Sequence, residues 1–535
     1  MRVALPLPHD ANPQTALGAD FSSRRLIESL HKYAVNTEFE PLSCGRTGVG
    51  TRSVTDSGQH LSDSLSTVES SRCEWDLLHD LRPAGDPRRH FYLRGAMRAR
   101  FPVVLTHHSL CYPIYIDSFF VPLLLARAQS CDAVVCTSRA SRDAFVNLLE
   151  ICGEGLARLN GGDLPKFEGQ LPVIPNGVDA DLFRPREVAD VRHQLGIPGH
   201  CFVMLWVGRL SSGTKADLLP LLRAYWLLRH RNPGLDTLLV LVGTDAEGYG
   251  RVLETYATSL GLTSCMRIER VRPQSPVHLW YSAADVFVSP VDNVQETFGN
   301  APIEAMAAGI PQVVSDWDGY RDTVVHGTTG FRVRTFWTDC DDDAVAQWAI
   351  WGDSQGSQAL LAKVVASDVD ELAGYLECLL RSPELRKTMG AASRTRALAE
   401  YAWPMIVGRY VQCWADLVER SRRRFDSTPL PLSILPAFFR AFAGYASRIL
   451  TGETRVRICP DAETPPSRET SPGDLASDVE PFVTGLDRVL STLREQGGEL
   501  ALDELSAELA CHGYPQTELR RLVLRGVKYG FLDIA

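Results

Sequence analysis

The sequence predicts an α/β protein with two doubly wound domains, followed by a small helical module. Short apolar runs alternate with amphipathic segments through residues 1–400, which is typical of parallel sheets covered by helices on both faces. The length of 535 residues suits roughly three or four domains of about 100–200 residues each. A stretch rich in Pro, Glu, Ser and Thr at 459–477 predicts a disordered linker before the last helical segments.

The first predicted domain spans residues 1–180. Its buried parallel strands are predicted at Val3–Leu5, Trp75–His79, Pro102–Thr106 and Ala133–Cys136. Residues 45–72 are rich in Gly, Ser and Thr, which predicts a long loop or insertion.

The second predicted domain spans residues 181–400. Its strands are predicted from Phe202 onward, and further at Leu238–Gly243, Asp285–Val288 and Gln312–Ser315. Residues 335–366 carry three tryptophans and are interpreted as an insertion of unknown role.

A crossover helix followed by an apolar and basic extension is predicted for residues 401–458. After the linker at 459–477, residues 478–535 predict a winged-helix-like module. Its helices are expected at Val483–Leu493, Leu502–Leu509 and Gln516–Val527.

Composition narrows the class of protein. The chain is 45% hydrophobic with a formal net charge of −10, which argues against a general binder of nucleic acid or anionic membranes. Thirteen cysteines without CxxC pairs are typical of reduced thiols in the cytoplasm. The beginning of the chain is Pro-broken and predicts a first strand rather than a signal peptide. No apolar run is long enough to predict a membrane-spanning helix.

Residues 296–304 carry the clearest chemical signal. Glu296 precedes a strand-to-helix turn that contains Gly299, and Glu304 follows eight positions after Glu296. The start of a helix binds anions because its free N–H groups and its dipole both favour negative charge. A carboxylate on either side of such a pocket can bind sugar hydroxyls. The pattern therefore predicts a site for a nucleotide sugar.

This segment resembles the E-x7-E signature of retaining glycosyltransferases with the GT-B fold, most closely glycosyltransferase family 4. The resemblance covers roughly residues 1–420, and its motifs occur in the family's order. Besides the signature, the similar segments are 173–185, 205–210 with the following Lys215, 318–324, and 327–333. The resemblance implies two Rossmann-like domains that face each other across a cleft, the second of which binds the donor.

The resemblance also implies roles for single residues. Glu296 would hold the hydroxyls of the transferred sugar, and Glu304 those of the ribose. Arg209 and Lys215 would bind the diphosphate. The remaining implied donor contacts are His108 at the sugar, Gly18, Phe298 and Gly299 at the phosphates, Thr297 in the turn, and Val271 near the base. The adjacent His107 would point away from the sugar. No cofactor and no metal is expected.

The chain departs from the family's pattern at three places. Gly18 stands alone where the family usually has two glycines after the first strand. Asn300 follows Gly299 where an apolar residue is usual. The late G-G-x-x-E pattern is replaced by residues 318–322, with Asp318 at its first position and Asp322 at its last.

The implied reaction is the transfer of a hexose, with retention, from a nucleotide-diphosphate sugar to a hydroxyl acceptor by a front-face mechanism. The acceptor classes are a glycan, a lipid-linked sugar or a small molecule, as in polysaccharide biosynthesis. The alternative is a non-catalytic protein that kept the fold and binds a partner through its last module. The intact Glu296, Glu304, Arg209 and Lys215 favour the enzyme.

Three further segments leave alternatives open. Basic residues on the last predicted helix allow DNA binding, but docking of a protein partner is favoured. The apolar stretch 430–439 could lie on the inner membrane surface, although packing on the protein is favoured. The acidic run Asp339–Asp343 is interpreted as a solvated loop or helix start rather than a D-x-D metal site.

Overall fold

A computed structural model describes residues 1–6, 18–42, 75–81, 86–272, 275–339, 361–426, 448–459, 479–510, 514, 516–528 and 530–534. These residues form two compact units, one that ends before residue 431 and one that continues to the end of the chain. The predicted loop 45–72, the apolar stretch 430–439 and residues 460–477 of the linker lie outside the described residues, as does most of the 335–366 insertion.

The first sheet has five parallel strands in the order β2-β1-β3-β4-β5. The strands are β1 (Arg2–Pro6), β2 (Glu38–Leu42), β3 (Leu77–Asp80), β4 (Val103–Thr106) and β5 (Ala133–Val135). The helices are α1 (Gly18–Tyr33), α2 (Arg88–Ala96), α3 (Val121–Leu125) after a π-helical turn at Ile116–Phe120, and α4 (Arg139–Asn160). The four predicted strands are confirmed. The edge strand β2 was not predicted, because its alternating Glu-Phe-Glu pattern lacks the continuous apolar run of a central strand.

The second sheet has six parallel strands in the order β11-β10-β9-β6-β7-β8. The strands are β6 (Phe202–Val207), β7 (Thr237–Gly243), β8 (Met266–Arg270), β9 (Val286–Ser289), β10 (Gln312–Ser315) and β11 (Gly330–Val333). Strand order reverses between β6 and β9, so the loops after these two strands lie side by side. Such a switch point is where open α/β sheets bind ligands.

Helices cover the second sheet and return to the first. They are α5 (Val188–Leu195), α6 (Leu219–Arg231), α7 (Tyr249–Ser259), α8 (Val277–Ala283), α9 (Asn300–Ala308), α10 (Tyr320–Thr323), α11 (Val369–Arg381), α12 (Pro383–Arg396) and α13 (Trp403–Arg423). A 3-10 turn at Thr263–Cys265 precedes β8, and a π-helical turn at Ala397–Tyr401 precedes α13. The antiparallel pair β12 (Thr335–Trp337) and β13 (Val365–Ser367) flanks the predicted insertion.

Helix α13 packs on the first domain although it follows the second in sequence. Its apolar residues recur at helical spacing and face β1 and α1. The members of this core are Val3, Leu5, Leu26, Leu30, Ile406, Val407, Tyr410, Trp414 and Leu417. The chain therefore crosses twice between the domains, and the two crossings pair with each other. Val178 N–H donates to the Tyr401 carbonyl at 2.8 Å, and Trp403 N–H donates to the Val178 carbonyl at 3.3 Å.

The second unit is a small module with its own apolar core. Its elements are β14 (Arg455–Ile458), α14 (Val479–Glu495), β15 (Glu499–Ala501), α15 (Leu502–Ala510), α16 (Gln516–Lys528) and β16 (Leu532–Ile534). The three predicted helices are confirmed. The antiparallel sheet β15-β14-β16 was not predicted, because its central strand precedes the linker and alternates Arg with apolar residues. None of the helices in the described ranges is long and apolar enough to cross a membrane.

The paired crossings leave no room for a side chain at Gly177. A Cβ atom there would lie within 2.7 Å of three atoms of the Trp403 ring. We expect Gly177→Ala to cost about 1–3 kcal/mol, because overpacking forces the ring or the backbone to move. Gly155→Ala is the matched control, since its added methyl meets no atom within 4 Å inside α4. Thermal unfolding should show a lower midpoint for the first variant, and an unchanged or higher one for the control. Equal midpoints for Gly177→Ala and wild type would contradict the packing at the crossings.

Candidate active site

The turn between β9 and α9 is shaped by Gly299. This residue precedes the first turn of α9 with φ of 84°, a backbone conformation that favours glycine. A Cβ atom at this position would also lie within 3.2 Å of three atoms of the Tyr320 ring. Gly299 therefore allows both the turn and the close approach of the loop after β10.

Glu296 and Lys215 form an ion pair at the switch point. Lys215 Nζ donates to Glu296 Oε2, and both side chains are only 17% exposed. Burial opposes ionisation of Glu296, but Lys215 and the backbone N–H groups of Phe298 and Gly299 together hold the pKa of Glu296 below its ordinary value. Phe298 and Gly299 were predicted to cradle a phosphate. That role stays a prediction, and in the structure their N–H groups stabilise the Glu296 carboxylate.

The loops that carry these two charges are joined by side chains of the β9 loop. Asn293 Nδ2 donates to the Lys215 carbonyl, and Asn293 Oδ1 accepts from the Glu296 N–H at 3.3 Å. Asp292 Oδ1 accepts from the Asp217 N–H at 3.1 Å. Neighbouring residues at the end of one strand thus hold both members of the ion pair in place.

Arg209 lies on the same β6 loop as Lys215. Its Nη2 atom donates to the Thr214 carbonyl at 3.2 Å, so the side chain folds over its own loop. Glycine at 208 brings the loop close to Lys215, since a Cβ atom there would lie 3.1 Å from Lys215 Cε. The structure therefore places two cations on the loop that the resemblance assigns to the diphosphate.

Glu304 is bound from both domains. Tyr281 Oη donates to its Oε2 at 2.9 Å, and Arg25 Nη1 of α1 lies 3.4 Å from its Oε1. Burial raises the pKa of Glu304 above its ordinary value, while Arg25 and Tyr281 act in the opposite direction. Neither partner was predicted from the sequence. Tyr281 sits in an apolar helix, and Arg25 is distant in sequence.

The first domain contacts the donor-side turn through backbone and hydroxyl groups. Thr297 Oγ1 donates to the His108 carbonyl at 2.7 Å, and Ser138 Oγ donates to the Thr297 carbonyl at 2.7 Å. His108 Nε2 lies 3.3 Å from Ser23 Oγ. The predicted residues His108 and Thr297 therefore meet, although they belong to different domains.

Asn300 adds a second contact between the domains. Its Nδ2 donates to Ser22 Oγ at 2.9 Å, and its Oδ1 accepts from Asn176 Nδ2 at 3.0 Å. Gln295 Nε2 also donates to Tyr112 Oη, at 2.6 Å. Asn300, where the family usually has an apolar residue, thus supplies one hydrogen-bond donor and one hydrogen-bond acceptor that link the two domains.

The remaining predicted residues have other surroundings. His107 packs against Tyr115 and Phe119, and burial, with His108 as a second cause, lowers its pKa to about 3. Val271 N–H donates to the Gly243 carbonyl at 3.0 Å, which ties the segment after β8 to the end of β7. Gly18 is the first residue of α1. In the ranges that the structure describes, no group of three or more side chains could hold a metal ion.

The second sheet domain contains the segment that is similar to a known protein family. Residues 201–349 match the family described as glycosyl transferases group 1. D-inositol 3-phosphate glycosyltransferase of Thermobispora bispora is 29% identical over 259 residues, which cover 48% of this chain and 52% of the relative. The D-inositol 3-phosphate glycosyltransferase of Thermomonospora curvata is 36% identical over 189 residues, which cover 33% of this chain and 42% of the relative. The chain spans about half the length, or less, of these curated relatives.

Solved structures show the fold over a longer part of the chain. HepE of Anabaena, solved with UDP, aligns with a TM-score of 0.52 and 18% identity, over 78% of this chain and 99% of HepE. A glycosyltransferase of Rickettsia africae aligns with a TM-score of 0.50 and 15% identity, over 78% of this chain and 98% of that protein. Together with the two parallel sheets, these similarities confirm the predicted GT-B fold.

Asp292 should make the stability of the site depend on pH. Burial raises its pKa from 3.8 to about 7, so the folded protein keeps a proton that the unfolded chain releases at lower pH. The contribution of this group is therefore fully present below pH 4 and is lost as the pH rises through about 7. We expect wild type to lose on the order of 2–4 kcal/mol across this range relative to Asp292→Asn.

Urea unfolding at several pH values between 5 and 8 measures this difference. The matched control is Asp163→Asn, a change at an exposed position, which should leave the pH profile of wild type unaltered. Parallel profiles for wild type and Asp292→Asn would contradict the assigned role of Asp292.

Proposed function

We propose that the chain is a retaining glycosyltransferase that moves a hexose from a nucleotide-diphosphate sugar to a hydroxyl acceptor. The observation that carries this proposal is the partly buried Lys215–Glu296 ion pair at the switch point of the second sheet. A cation for phosphate and a carboxylate for sugar hydroxyls lie there in direct contact. The match of residues 201–349 to glycosyl transferases group 1 supports the same reading.

In the proposed reaction, the bond between the sugar C1 and the β-phosphate oxygen breaks. A new bond forms from C1 to the acceptor oxygen on the same face, and the acceptor proton passes to the departing phosphate. Negative charge grows on that phosphate during the step. Lys215 and Arg209 stabilise this charge, and because both lie on one fixed loop, little reorganisation is needed. The reaction so described uses no metal and no cofactor.

The proposed roles of Glu296, Glu304 and His108 are supported by their contacts, whereas those of Gly18 and Val271 rest on the resemblance. Glu296 binds hydroxyls of the transferred sugar, and the N–H groups of Phe298 and Gly299 keep it ionised. Glu304 binds the ribose, with Tyr281 fixing the orientation of its carboxylate. His108 borders the sugar, where Thr297 holds its backbone. Gly18 and the segment around Val271 border the phosphates and the base respectively.

The acceptor is proposed only as a class, namely a glycan, a lipid-linked sugar or a small hydroxyl compound. The relatives named above act on D-inositol 3-phosphate, but each matches at most about half of its length. The last module has its own core and exposes basic residues on α16, which include Arg520 and Arg521. We propose that it binds a protein partner.

A donor screen tests this function. Wild type would be mixed with UDP-, GDP- and ADP-hexoses in buffer with EDTA, and the thermal midpoint would be measured. A donor at a hundred times its Kd stabilises the protein by about 2.7 kcal/mol. We expect one nucleotide series to raise the midpoint by several degrees and to release nucleoside diphosphate in the presence of an acceptor mixture.

Glu296→Gln keeps the size of the side chain and removes its charge, so the hydroxyl contact and the ion pair weaken together. We expect its turnover to fall about 100-fold or more. The exposed Glu150→Gln is the matched control and should behave as wild type. Absence of binding by any of the nucleotide sugars would overturn the proposal and favour a non-catalytic binding protein. A product with inverted anomeric configuration would overturn the retaining mechanism alone.

A further inference from the structure

Arg25 reaches across the cleft from the first domain. It lies on α1, and its Nη1 atom is 3.4 Å from Oε1 of Glu304 on α9, a residue 279 positions later in the chain. The Arg25 side chain is 44% exposed, whereas that of Glu304 is only 14% exposed. The guanidinium group is therefore open to solvent, while the carboxylate that it contacts is mostly enclosed.

A second contact holds α1 and α9 in register. Asn300 Nδ2 donates to Ser22 Oγ at 2.9 Å, one helical turn before the Arg25 contact on both helices. Ser22 and Arg25 are three residues apart, and Asn300 and Glu304 are four apart, so each pair lies on one face of its helix. The two helices therefore touch at two successive turns, which keeps the base of Arg25 beside Glu304.

One oxygen of the Glu304 carboxylate has room for a further hydrogen bond. Tyr281 Oη donates to Oε2 at 2.9 Å, whereas Oε1 has only the 3.4 Å contact with Arg25 among the described residues. That distance is longer than the roughly 2.7–2.9 Å of a tight hydrogen bond between charged groups. Each atom of the Arg25–Glu304 pair can therefore bind a third group.

Stability alone gives a weak reason for this ion pair. A pair in which one partner is nearly half exposed contributes little to folding, because water screens it. The guanidinium group carries several N–H donors, and its one hydrogen-bond partner among the described residues is Glu304. Arg25 therefore has donors to spare beside the carboxylate that is proposed to bind the ribose.

The two atoms are spaced so that they can share a hydroxyl group. A hydroxyl group can give its proton to Glu304 Oε1 while its oxygen accepts from an Arg25 N–H. A hydroxyl oxygen that lies about 2.8–2.9 Å from both atoms forms an unstrained triangle with a pair that is 3.4 Å apart. Glu304 would repel a phosphate or a carboxylate, and Arg25 would repel an ammonium group. The pair therefore suits a neutral hydroxyl group.

We propose that Arg25 completes the ribose site from the first domain, by donating a hydrogen bond to the ribose hydroxyl group that Glu304 binds. This inference rests on the proposed function, in which Glu304 binds the ribose. It makes the nucleotide a ligand of both domains, so the ribose is held fully only while α1 and α9 are in contact. A nucleotide that lacks this hydroxyl group loses both hydrogen bonds together.

Calorimetry on two matched variants tests this role. Arg25→Met keeps an unbranched apolar side chain and removes every N–H donor. Arg24→Met is the control, because it removes the same charge from the neighbouring exposed position of α1, about 100° around the helix. The probes are UDP, GDP and ADP, each with its 2′-deoxy and 3′-deoxy forms. The nucleoside diphosphate that wild type binds most tightly is then compared with its own deoxy forms in all three proteins.

We expect wild type to bind one of the two deoxy forms about 10-fold or more weakly than the parent nucleotide, because that form lacks the shared hydroxyl group. Arg25→Met should weaken binding of the parent nucleotide by about 10-fold, since a hydrogen bond from a charged donor is lost. It should weaken binding of that deoxy form by no more than about twofold, since the group that Arg25 binds is absent from it. Arg24→Met should bind both within about twofold of wild type, because salt screens a lost surface charge.

Four results would overturn the inference while leaving the proposed reaction intact. Arg25→Met that binds the parent nucleotide as wild type does would show that Arg25 makes no contact with it. An equal loss for parent and deoxy forms would show that Arg25 acts through its charge or through the position of α1. Tighter binding of the parent nucleotide by Arg25→Met would show that Arg25 competes with the ribose for Glu304. The fourth result is wild type that binds both deoxy forms as tightly as the parent.

Wild type that binds none of the three nucleoside diphosphates would overturn the proposed function, and the inference with it. Folding of the variants is checked separately by their thermal midpoints without ligand. These midpoints should agree with that of wild type, because positions 24 and 25 are both exposed.

Discussion

The ion pair between Lys215 and Glu296 is the constraint on which the rest of the site depends. Each side chain is only 17% exposed, and charges that lose most of their contact with water need a partner and further hydrogen bonds. Lys215 receives its partner from the loop after β9, the third strand after β6 in the chain, and Glu296 is stabilised by Lys215 and by the N–H groups of Phe298 and Gly299. Because β6 and β9 are neighbours in the sheet, loops that are about 80 residues apart in sequence meet at one edge.

The same turn also connects the two domains. Residues 295, 297 and 300 each contact the first domain, through Tyr112, His108 and Ser22 respectively. Glu296 lies among them and faces Lys215. A change in the angle between the domains would therefore act on the residues beside Glu296. Such a change would bend the paired crossings at Val178 and Ala402. Within the described residues, these are the two segments in which the chain passes from one domain to the other.

The sequence predicted the parts of the site that depend on local pattern. The order of apolar runs predicted the parallel strands, and the spacing of Glu296, Gly299 and Glu304 predicted the turn and its helix. The partners of these carboxylates could not be predicted from the pattern, because they depend on tertiary approach. Tyr281 looks like an ordinary core aromatic, and Arg25 like a solvated helix residue. Tyr281 meets Glu304 because their two helices pack together in the second domain, whereas Arg25 meets it because the two domains approach each other.

Two other features could not be predicted from the sequence, for different physical reasons. The N–H groups of Phe298 and Gly299 could bind either a ligand or a protein group. The sequence does not indicate that they stabilise the Glu296 carboxylate, because this depends on how the turn folds. Asp318 was noted as a departure from a family pattern, but its positive φ and its partly unsatisfied carboxyl group are conformational facts. Strained or unsatisfied residues are where local rules fail most often, and such failures concentrate at functional sites.

Hydrogen–deuterium exchange with and without a saturating nucleotide sugar, in buffer with EDTA, would show where on the protein the donor binds. We expect protection of amides in the β6 loop around Lys215, in the turn 293–299 and in the loop 316–320. Peptides from α5 and from the last module should be unaffected. Protection confined to segments outside these three loops would show that the donor binds elsewhere, and it would contradict the placement of the active site at the switch point.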